Sequence, residues 1–466
     1  MWSSRLAFIL AATGSAVGLG NIWRFPYTAG EYGGGAFVLV YLLCVAGIGI
    51  PIMIAEIMLG RRGRQSPINT MRTLAEREGA SGAWQLLGWM GILSGFLILS
   101  FYSVIAGWTL AYVFRAGAGG FTGIDAEQSG AMFSALVADP ERLLAWHTIF
   151  MVMVILVVAR GVASGLEKAV RFLMPALFLL LVVMVLYAAQ SGDFAAGVSY
   201  LFTPDFDKLS AHAGEAVLSA MGQAFFTLSL GMGAMITYGS YLGDRESVPG
   251  SALMVALLDT AIALLASIAI FTIVFQYDLD PKAAGPGLVF QVLPLAFSQM
   301  PGGRFIGTAF FLLLAFAALT SAISLLEVVV AHFIDDRKWA RRTATVIMGT
   351  VIWGLGLFSA FSYNLLENVT LLEDKEGQGM PILDSVDLIA TNYMLPIGGF
   401  FIALFAGWFI KQQVRDRQLL DGSRSPAFYR AWLFVTRYFT PVAVGLLILF
   451  MIDKHLGIAE WILGGE

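Results

Sequence analysis

The sequence predicts an all-α integral membrane protein with 11 transmembrane helices. Three observations carry that prediction: 58% of the 466 residues are apolar, only 13% are charged, and the charge gathers between long apolar runs. Soluble domains are about one quarter charged, and at half that share a soluble chain could not cover its surface. A helix needs about 20 apolar residues to cross a bilayer. Stretches of that kind lie near 5–30, 35–60, 83–116, 143–160, 166–190, 215–242, 249–277, 303–334, 341–361, 382–411 and 430–452. The third, eighth and tenth are long enough to tilt or to extend beyond the hydrocarbon.

The loops supply the orientation. Every second connection is basic, with Arg61, Arg62, Arg64, Arg72 and Arg77, then Arg160, Lys168 and Arg171, then Arg245, then Arg337, Lys338, Arg341 and Arg342, then Lys411, Arg415, Arg417, Arg424 and Arg430. The alternate loops are mostly acidic, carrying Asp125, Glu127, Asp139 and Glu141, then Asp193, Asp205, Asp207 and Glu215, then Glu367, Glu373, Asp374 and Glu376. Positive charge stays on the cytoplasmic face, so the N-terminus is expected inside, the C-terminus outside, and the chain in a plasma membrane. Residues 1–16 have a signal-peptide-like core, but the apolar run resumes beyond Gly14-Ser15-Ala16 instead of opening into a soluble domain. The segment 281–302 is too proline-broken to span; its apolar spacing suggests a short hairpin acting as a lid over the outer mouth.

Several functions are excluded. A net charge of −4 without a basic tail leaves no nucleic-acid footprint. One cysteine, Cys44, and four scattered histidines, His147, His212, His332 and His455, give neither a disulfide framework nor metal-ligand spacing. There is no Gly-x-x-x-x-Gly-Lys-[Ser/Thr] loop for ATP. No histidine stands near a nucleophile in the motifs, so an intramembrane enzyme is not expected.

Two spans carry glycines where a lipid-facing helix would not want them: Val17-Gly18-Leu19-Gly20-Asn21 in the first and Leu230-Gly231-Met232-Gly233 in the sixth. Unwound backbone survives in a membrane only where protein buries it or a cavity wets it. Breaks at matching positions of two successive five-span blocks point to a transporter's midplane site. There the free N–H groups of one half-helix attract anions and the free carbonyls of the other attract cations.

The motifs GSAVGLGNIWRFPYTAGEYGGGAFVLVY in span one, FFTLSLGMGAMITYGSY in span six, LTSAISLLE in span eight and LDSVD opening span ten resemble the neurotransmitter:sodium symporter family. The resemblance covers essentially the whole chain. It implies an inverted five-plus-five repeat of the LeuT type, with discontinuous helices one and six: a first repeat over 1–190, a second over 191–411, and a loop with an appended eleventh helix over 412–466. It further implies sodium-coupled uptake of an L-amino acid by alternating access in a lipid bilayer, with two sodium ions as cofactors. A first sodium would be held by the Ala16 carbonyl, Asn21, Thr227 and Asp259, completed by the substrate carboxylate. A second would take the carbonyls of Gly14, Val17 and Ala317 and the hydroxyls of Thr320 and Ser321. The N–H groups around Leu19 and Gly20, with the Tyr102 hydroxyl, would hold the carboxylate. Carbonyls near Ala16, Phe226, Thr227 and Ser229 would take the ammonium, and Val17, Tyr102, Phe226, Met232, Ser321, Ser324 and Leu325 would line the side-chain pocket.

Three positions depart from the family pattern. Asp259 stands where relatives commonly have asparagine, and Ala263 where chloride-independent bacterial ones often have glutamate. Asp259 would supply the offsetting negative charge itself, so no chloride requirement is expected. Met232 occupies a place that is often phenylalanine, and its flexible thioether can yield to bulky ligands, which favours hydrophobic, including large or aromatic, substrates. Relatives also carry an arginine ahead of the Trp-to-Arg stretch, which this sequence, starting Met1-Trp2, does not show.

The outer gate is expected at Arg24 and Asp387 with Gln223 nearby and Phe226 over Tyr102. Inner closure is expected from Trp2, Arg5, Tyr238, Glu327 and Asp335. Gly165 and Pro175 in span five match a family spacing that lets its inner half unwind, and Glu56 matches a glutamate that bonds the substrate-site backbone. A channel built on the same broken helices, or a transporter-like amino-acid sensor, stays open as an alternative at the level of sequence.

Overall fold

The structure is a computed structural model describing residues 2–281, 286–373, 378–420 and 426–456. Asp374, Glu376, Arg424, the His455 side chain, part of the expected lid (282–285) and the segment 457–466 lie outside the described residues.

Nine helices among the described residues are long and apolar enough to cross a bilayer: Gly35–Gly63, Gly82–Gly117, Pro140–Ala159, Val162–Ser191, Val248–Gln276, Gly303–Asp335, Arg341–Ala360, Ile382–Phe409 and Pro426–Ile452. The expected first span is a bent pair, Arg5–Ala16 and Gly20–Glu31, meeting at 55°. The expected sixth is two helices, Ala213–Thr227 and Ala234–Ser240, separated by residues 228–233. All 11 expected spans are thus present, and both interruptions fall on the glycine motifs.

Side chains, several of them from other spans, satisfy backbone freed at each break, as low dielectric requires. At the first break Val17 turns extended (ψ 111°). The Gly18 N–H then donates to Asn21 Oδ1 at 3.0 Å and the Leu19 N–H to the Tyr102 hydroxyl at 3.2 Å. At the second, Ser229, Gly231 and Gly233 all lie in the left-handed region, at φ 54°, 77° and 76°. Glycine is required at 231, where a Cβ would stand 2.3 Å from the Leu395 carbonyl oxygen. Glu56 accepts the Gly231 N–H at 2.7 Å, as the sequence anticipated. Ser229 carries the left-handed cost of about 1–2 kcal/mol for a residue with a Cβ, and its hydroxyl donates to the Ser15 carbonyl at 2.8 Å, tying one break to the other.

Gly82–Gly117 and Gly303–Asp335, at 36 and 33 residues, are the longest spans and the most enclosed, with 78% and 83% of their apolar windows buried. They form the central scaffold against which the broken helices sit. Span eleven is peripheral, at 28%. The stretch read as a short hairpin over 281–302 is one apolar helical segment, Leu288–Gln299, among the described residues. Its Phe290 packs among Trp23, Trp108, Tyr112, Phe133 and Phe311, which seats the segment over the Arg24 end of the bundle. Sequence reading missed the helices Ala126–Val137, Phe194–Phe202 and Phe206–Ala211 and the antiparallel pair Thr370–Glu373 with Gly379–Pro381, all of them between spans.

Candidate functional site

The two breaks face one another, and Asp259 of the seventh span lies fully buried beside them. Its Oδ1 accepts Asn21 Nδ2 at 2.8 Å, and the Thr227 hydroxyl stands 3.0 Å from both carboxylate oxygens. Asn21 is held from both ends of its amide, because its Oδ1 takes the Gly18 N–H. A carboxylate at this depth costs about 2.5–3.5 kcal/mol even on lenient scales. Two side-chain donors offset part of that cost, and a cation would offset the rest.

A second oxygen cluster lies where the first break meets span eight. Ser321 Oγ stands 3.0, 3.1 and 3.4 Å from the carbonyl oxygens of Val17, Ser15 and Gly14. Thr320 Oγ1 back-bonds to Ala317 and Phe316 at 3.0 and 3.1 Å. A Cβ on Gly14 would stand 3.2 Å from Thr320 Cβ, so the two elements touch here. One Ser321 proton among three carbonyls leaves lone pairs unmatched; a hard cation with several oxygen ligands suits such a cluster.

Between the breaks is a cavity of about 20 Å³ lined by Ser15, Ala16, Gly18, Gly20, Ile98, Tyr102, Phe226, Thr227, Ser229, Met232, Ser321 and Leu325. Nine of the expected substrate residues therefore share one cavity. Leu19 faces the vestibule on the Arg24 side, and Val17 is buried in the break. Ser324 supports the wall, receiving Ser15 Oγ at 2.7 Å and donating to the Ser321 carbonyl at 2.7 Å. Ser15, Gly18 and Ile98 were missed, although Ser15 and Gly18 lie within the first motif and Ile98 is one helical turn before Tyr102.

A sequence profile of the Sodium:neurotransmitter symporter family matches residues 1–120 and 137–461. The chain belongs to this family. It is similar to "Uncharacterized sodium-dependent transporter YhdH" of Bacillus subtilis (strain 168), 38% identical over 452 residues and covering 97% of each chain. An "Uncharacterized sodium-dependent transporter" of Haemophilus influenzae is 32% identical, with 95% of this chain and 96% of that one covered. Among solved structures it resembles "Crystal structure of MhsT in complex with L-phenylalanine", with a TM-score of 0.88, 45% identity, and 96% and 99% of the two chains covered. It is a multi-pass, sodium-dependent membrane transporter of this symporter family and not an enzyme.

On the Arg24 side of the cavity between the breaks the transporter holds a second cavity of about 380 Å³, which reaches from Gly20, Tyr102 and Phe226 to Asp384 and Asp387. Gly20, Tyr102 and Phe226 border both, so these three residues partition them. The Arg24 guanidinium sits over the Phe226 ring, 5.9 Å from its centroid. Among the described residues no ion pair within 4.0 Å joins it to Asp387. Gln223, expected beside Arg24, donates to the Gly20 carbonyl at 3.0 Å.

The Trp2 side is packed shut. Trp2 is buried, donates its indole N–H to the Tyr238 carbonyl at 3.1 Å, and meets Tyr238 and Tyr241 edge-on. The structure does not bring Arg5 to Asp335: Arg5 is exposed with its guanidinium beside Gly250, while Asp335 accepts the Ser66 N–H at 2.6 Å. The buried Glu327 is ion-paired with Arg341 and accepts the Tyr241 hydroxyl at 2.8 Å. Ser3 donates to Glu167, which Arg171 also reaches at 2.7 Å. Loop arginines read only for orientation thus also hold this side together.

Proposed function

We propose that this transporter couples an inward sodium gradient to uptake of hydrophobic L-amino acids, large and aromatic ones included. It does so by alternating access, with two sodium ions and no chloride requirement. The Arg24 side faces out and the Trp2 side faces the cytoplasm of a bacterial cell.

The observation that carries the reading is the position of Thr227, which lines the cavity between the breaks and bonds the buried Asp259 cluster. An amino-acid carboxylate at the Leu19 and Gly20 N–H groups would lie next to the cation held by Asn21, Thr227 and Asp259. Each ligand then raises the affinity for the other by the same factor, which is the thermodynamic content of coupling. The second cation, at Gly14, Val17, Ala317, Thr320 and Ser321, would clamp span one to span eight and hold the Trp2 side closed until it leaves.

Hydrophobic substrates are supported by Met232 and Leu325 in the wall and by the complex that the similar transporter MhsT forms with L-phenylalanine. Chloride independence is supported by the formal charge of Asp259 within the first cation cluster. With substrate in place, Phe226 would close over it and Arg24 and Asp387 would approach across the vestibule. Such a pair is worth only about 0–1 kcal/mol in water, so it can open again without a large barrier.

Uptake of labelled tryptophan, phenylalanine, tyrosine and leucine into proteoliposomes, with and without an inward sodium gradient, tests the proposal. Saturable accumulation that needs the gradient is expected. Sodium-dependent binding of glycine or betaine alone would overturn the substrate class. Fast, non-saturating flux would indicate a channel, and binding without uptake a sensor.

A further inference from the structure

Arg24 borders a further cavity, to which nothing above gives a use. It is polar, about 170 Å³ in volume, lined by Arg24, Glu215, Ser219 and Asn392 and completed by Leu447 and Met451 of span eleven. That volume is well above the roughly 10–15 Å³ that admits a first water. Among the described residues, Arg24 alone lines both this side cavity and the vestibule of Asp384 and Asp387.

The elements around it explain why the two compartments meet at one side chain. On the half-helix Ala213–Thr227, Glu215, Ser219, Gly222 and Phe226 recur at spacings of four, three and four, which puts them on one face. Phe226, near the break, carries the Arg24 guanidinium over its ring; Glu215, near the other end, lines the side cavity. A Cβ on Gly222, between them, would meet nothing within 4 Å, so the face is open midway. On span ten a π-helical turn, Leu388–Met394, begins directly after Asp387. Such widened turns re-aim side chains, and here Asp387 lines the vestibule while Asn392 lines the side cavity. The Thr391 hydroxyl ties the two positions, 2.8 Å from the Asp387 carbonyl oxygen and 3.1 Å from Asn392 Oδ1.

One cation thus stands between two compartments, each with a carboxylate in its lining. The half-buried Arg24 is committed to neither: among the described residues no ion pair within 4.0 Å joins it to Asp387 or to Glu215. A guanidinium drawn partly out of water is costly without a counter-charge. If it leaves Asp387 when the vestibule opens, Glu215 is the carboxylate on the other side that can hold it.

We propose that Glu215 is a positioning residue of the outer gate: the side cavity receives the Arg24 guanidinium while the vestibule is open, and Glu215 competes there with Asp387 for it. Opening is then an exchange of one carboxylate for another, and the charge of Glu215 sets how much of the time the vestibule is open. The proposal rests on the reading of Arg24 and Asp387 as that gate.

The test follows labelling of one cysteine in the vestibule wall, Ile105→Cys, made together with Cys44→Ala, by a membrane-impermeant thiol reagent on the full-length protein in sodium without amino acid. Relative to this parent, Glu215→Gln is expected to slow labelling at least threefold, because the guanidinium moves to Asp387 and the vestibule closes. Asp387→Asn is expected to speed labelling at least threefold, and adding Glu215→Gln to it changes the rate by less than twofold. Glu215→Asp, which keeps the charge, is expected to stay within twofold of the parent, a rescue that a role in packing alone would not give. Labelling of Glu215→Gln at the parent's rate, alongside a faster Asp387→Asn, would overturn this proposal and leave the gate standing. An unchanged rate in Asp387→Asn would overturn the gate and the proposal together. Equal slowing by Glu215→Gln with and without Asp387→Asn would mean that Glu215 acts apart from the exchange, and would overturn it too. Should Glu215→Gln fail to fold, Gly222→Leu fills the side cavity from its open face and is expected to give the same slowing; labelling at the parent's rate there would count against the proposal equally.

Discussion

Asp259→Asn separates the charge of the first cation cluster from its shape. The asparagine keeps an oxygen toward Thr227 and Asn21 in a side chain of nearly the same volume, so Asp259, fully buried, leaves no cavity when replaced. A unit charge about 4 Å from sodium contributes about 4 kcal/mol at the effective dielectric of about 20 that suits protein sites. Contacts to ionised groups are about twice as strong as neutral ones, so a carboxamide keeps about half. The loss of about 2 kcal/mol raises the sodium concentration for half-maximal phenylalanine binding roughly 30-fold. Apparent phenylalanine affinity at fixed low sodium falls with it by reciprocity. Without sodium the variant melts no lower than wild type, because a carboxylate costing about 2.5–3.5 kcal/mol at that depth is gone. The assay is scintillation-proximity binding of labelled phenylalanine across a sodium series, with and without chloride, alongside a melting curve. Chloride is expected to recover part of the lost affinity in the variant only. If half-saturation stays within threefold of wild type, the charge of Asp259 does not serve sodium and its cluster with Asn21 and Thr227 is only structural.

Replacing chloride by gluconate leaves wild-type uptake rates unchanged within error; a collapse would mean that Asp259 does not supply the compensating charge. Thr320→Ala removes a hydroxyl that otherwise only back-bonds to its helix, so folding survives while sodium-driven accumulation is lost and the Hill coefficient for sodium falls from near 2 toward 1. Arg341→Ala strands the buried Glu327, a loss of about 3–5 kcal/mol that should lower the melting temperature and expose the Trp2 side to thiol labelling at an introduced cysteine; Glu327→Gln in the same chain restores most of both. Met232→Phe stiffens the cavity wall, so tryptophan affinity falls at least tenfold while leucine affinity changes by less than threefold in competition binding.

The helix count, the two interruptions and the importance of Asp259 were legible because each rests on a strong local signal, whereas Asn21 and Thr227 were reached only through the resemblance to the family. Apolar length marks a span, a glycine pair inside one marks a break, and a carboxylate in a span is expensive enough to need a reason. What was missed depends on where a side chain ends up. Arg341 reads as a topology marker from its loop position, yet its long stem carries the guanidinium to Glu327, 14 positions back on another helix. Asp335 reads as a closure element from its charge and position, but nothing in the sequence marks its partner as a backbone N–H, that of Ser66. Ser229 gives no hint of a left-handed backbone, since glycine usually marks that conformation and two glycines stand close by. The strand pair at 370–381 is too short for any periodicity to show.

On the proposed function, the two cavities set how so tight a site would serve large side chains. About 20 Å³ between the breaks holds little more than a water molecule, whereas about 380 Å³ stands on the other side of Phe226 and Tyr102. Binding a bulky amino acid therefore draws volume from movement of Phe226 and Met232 rather than from space already present. Turning an aromatic side chain off its rotamer costs about 0.5–1.5 kcal/mol, less than burying another apolar side chain returns, at about 1.5–3 kcal/mol. The balance stays favourable only if the ring can return over the substrate afterwards, and that return closes the Arg24 side. On this reading, accommodation of the side chain and closure of the gate would be one movement of Phe226, and a ligand too large to let it back would bind without being carried across.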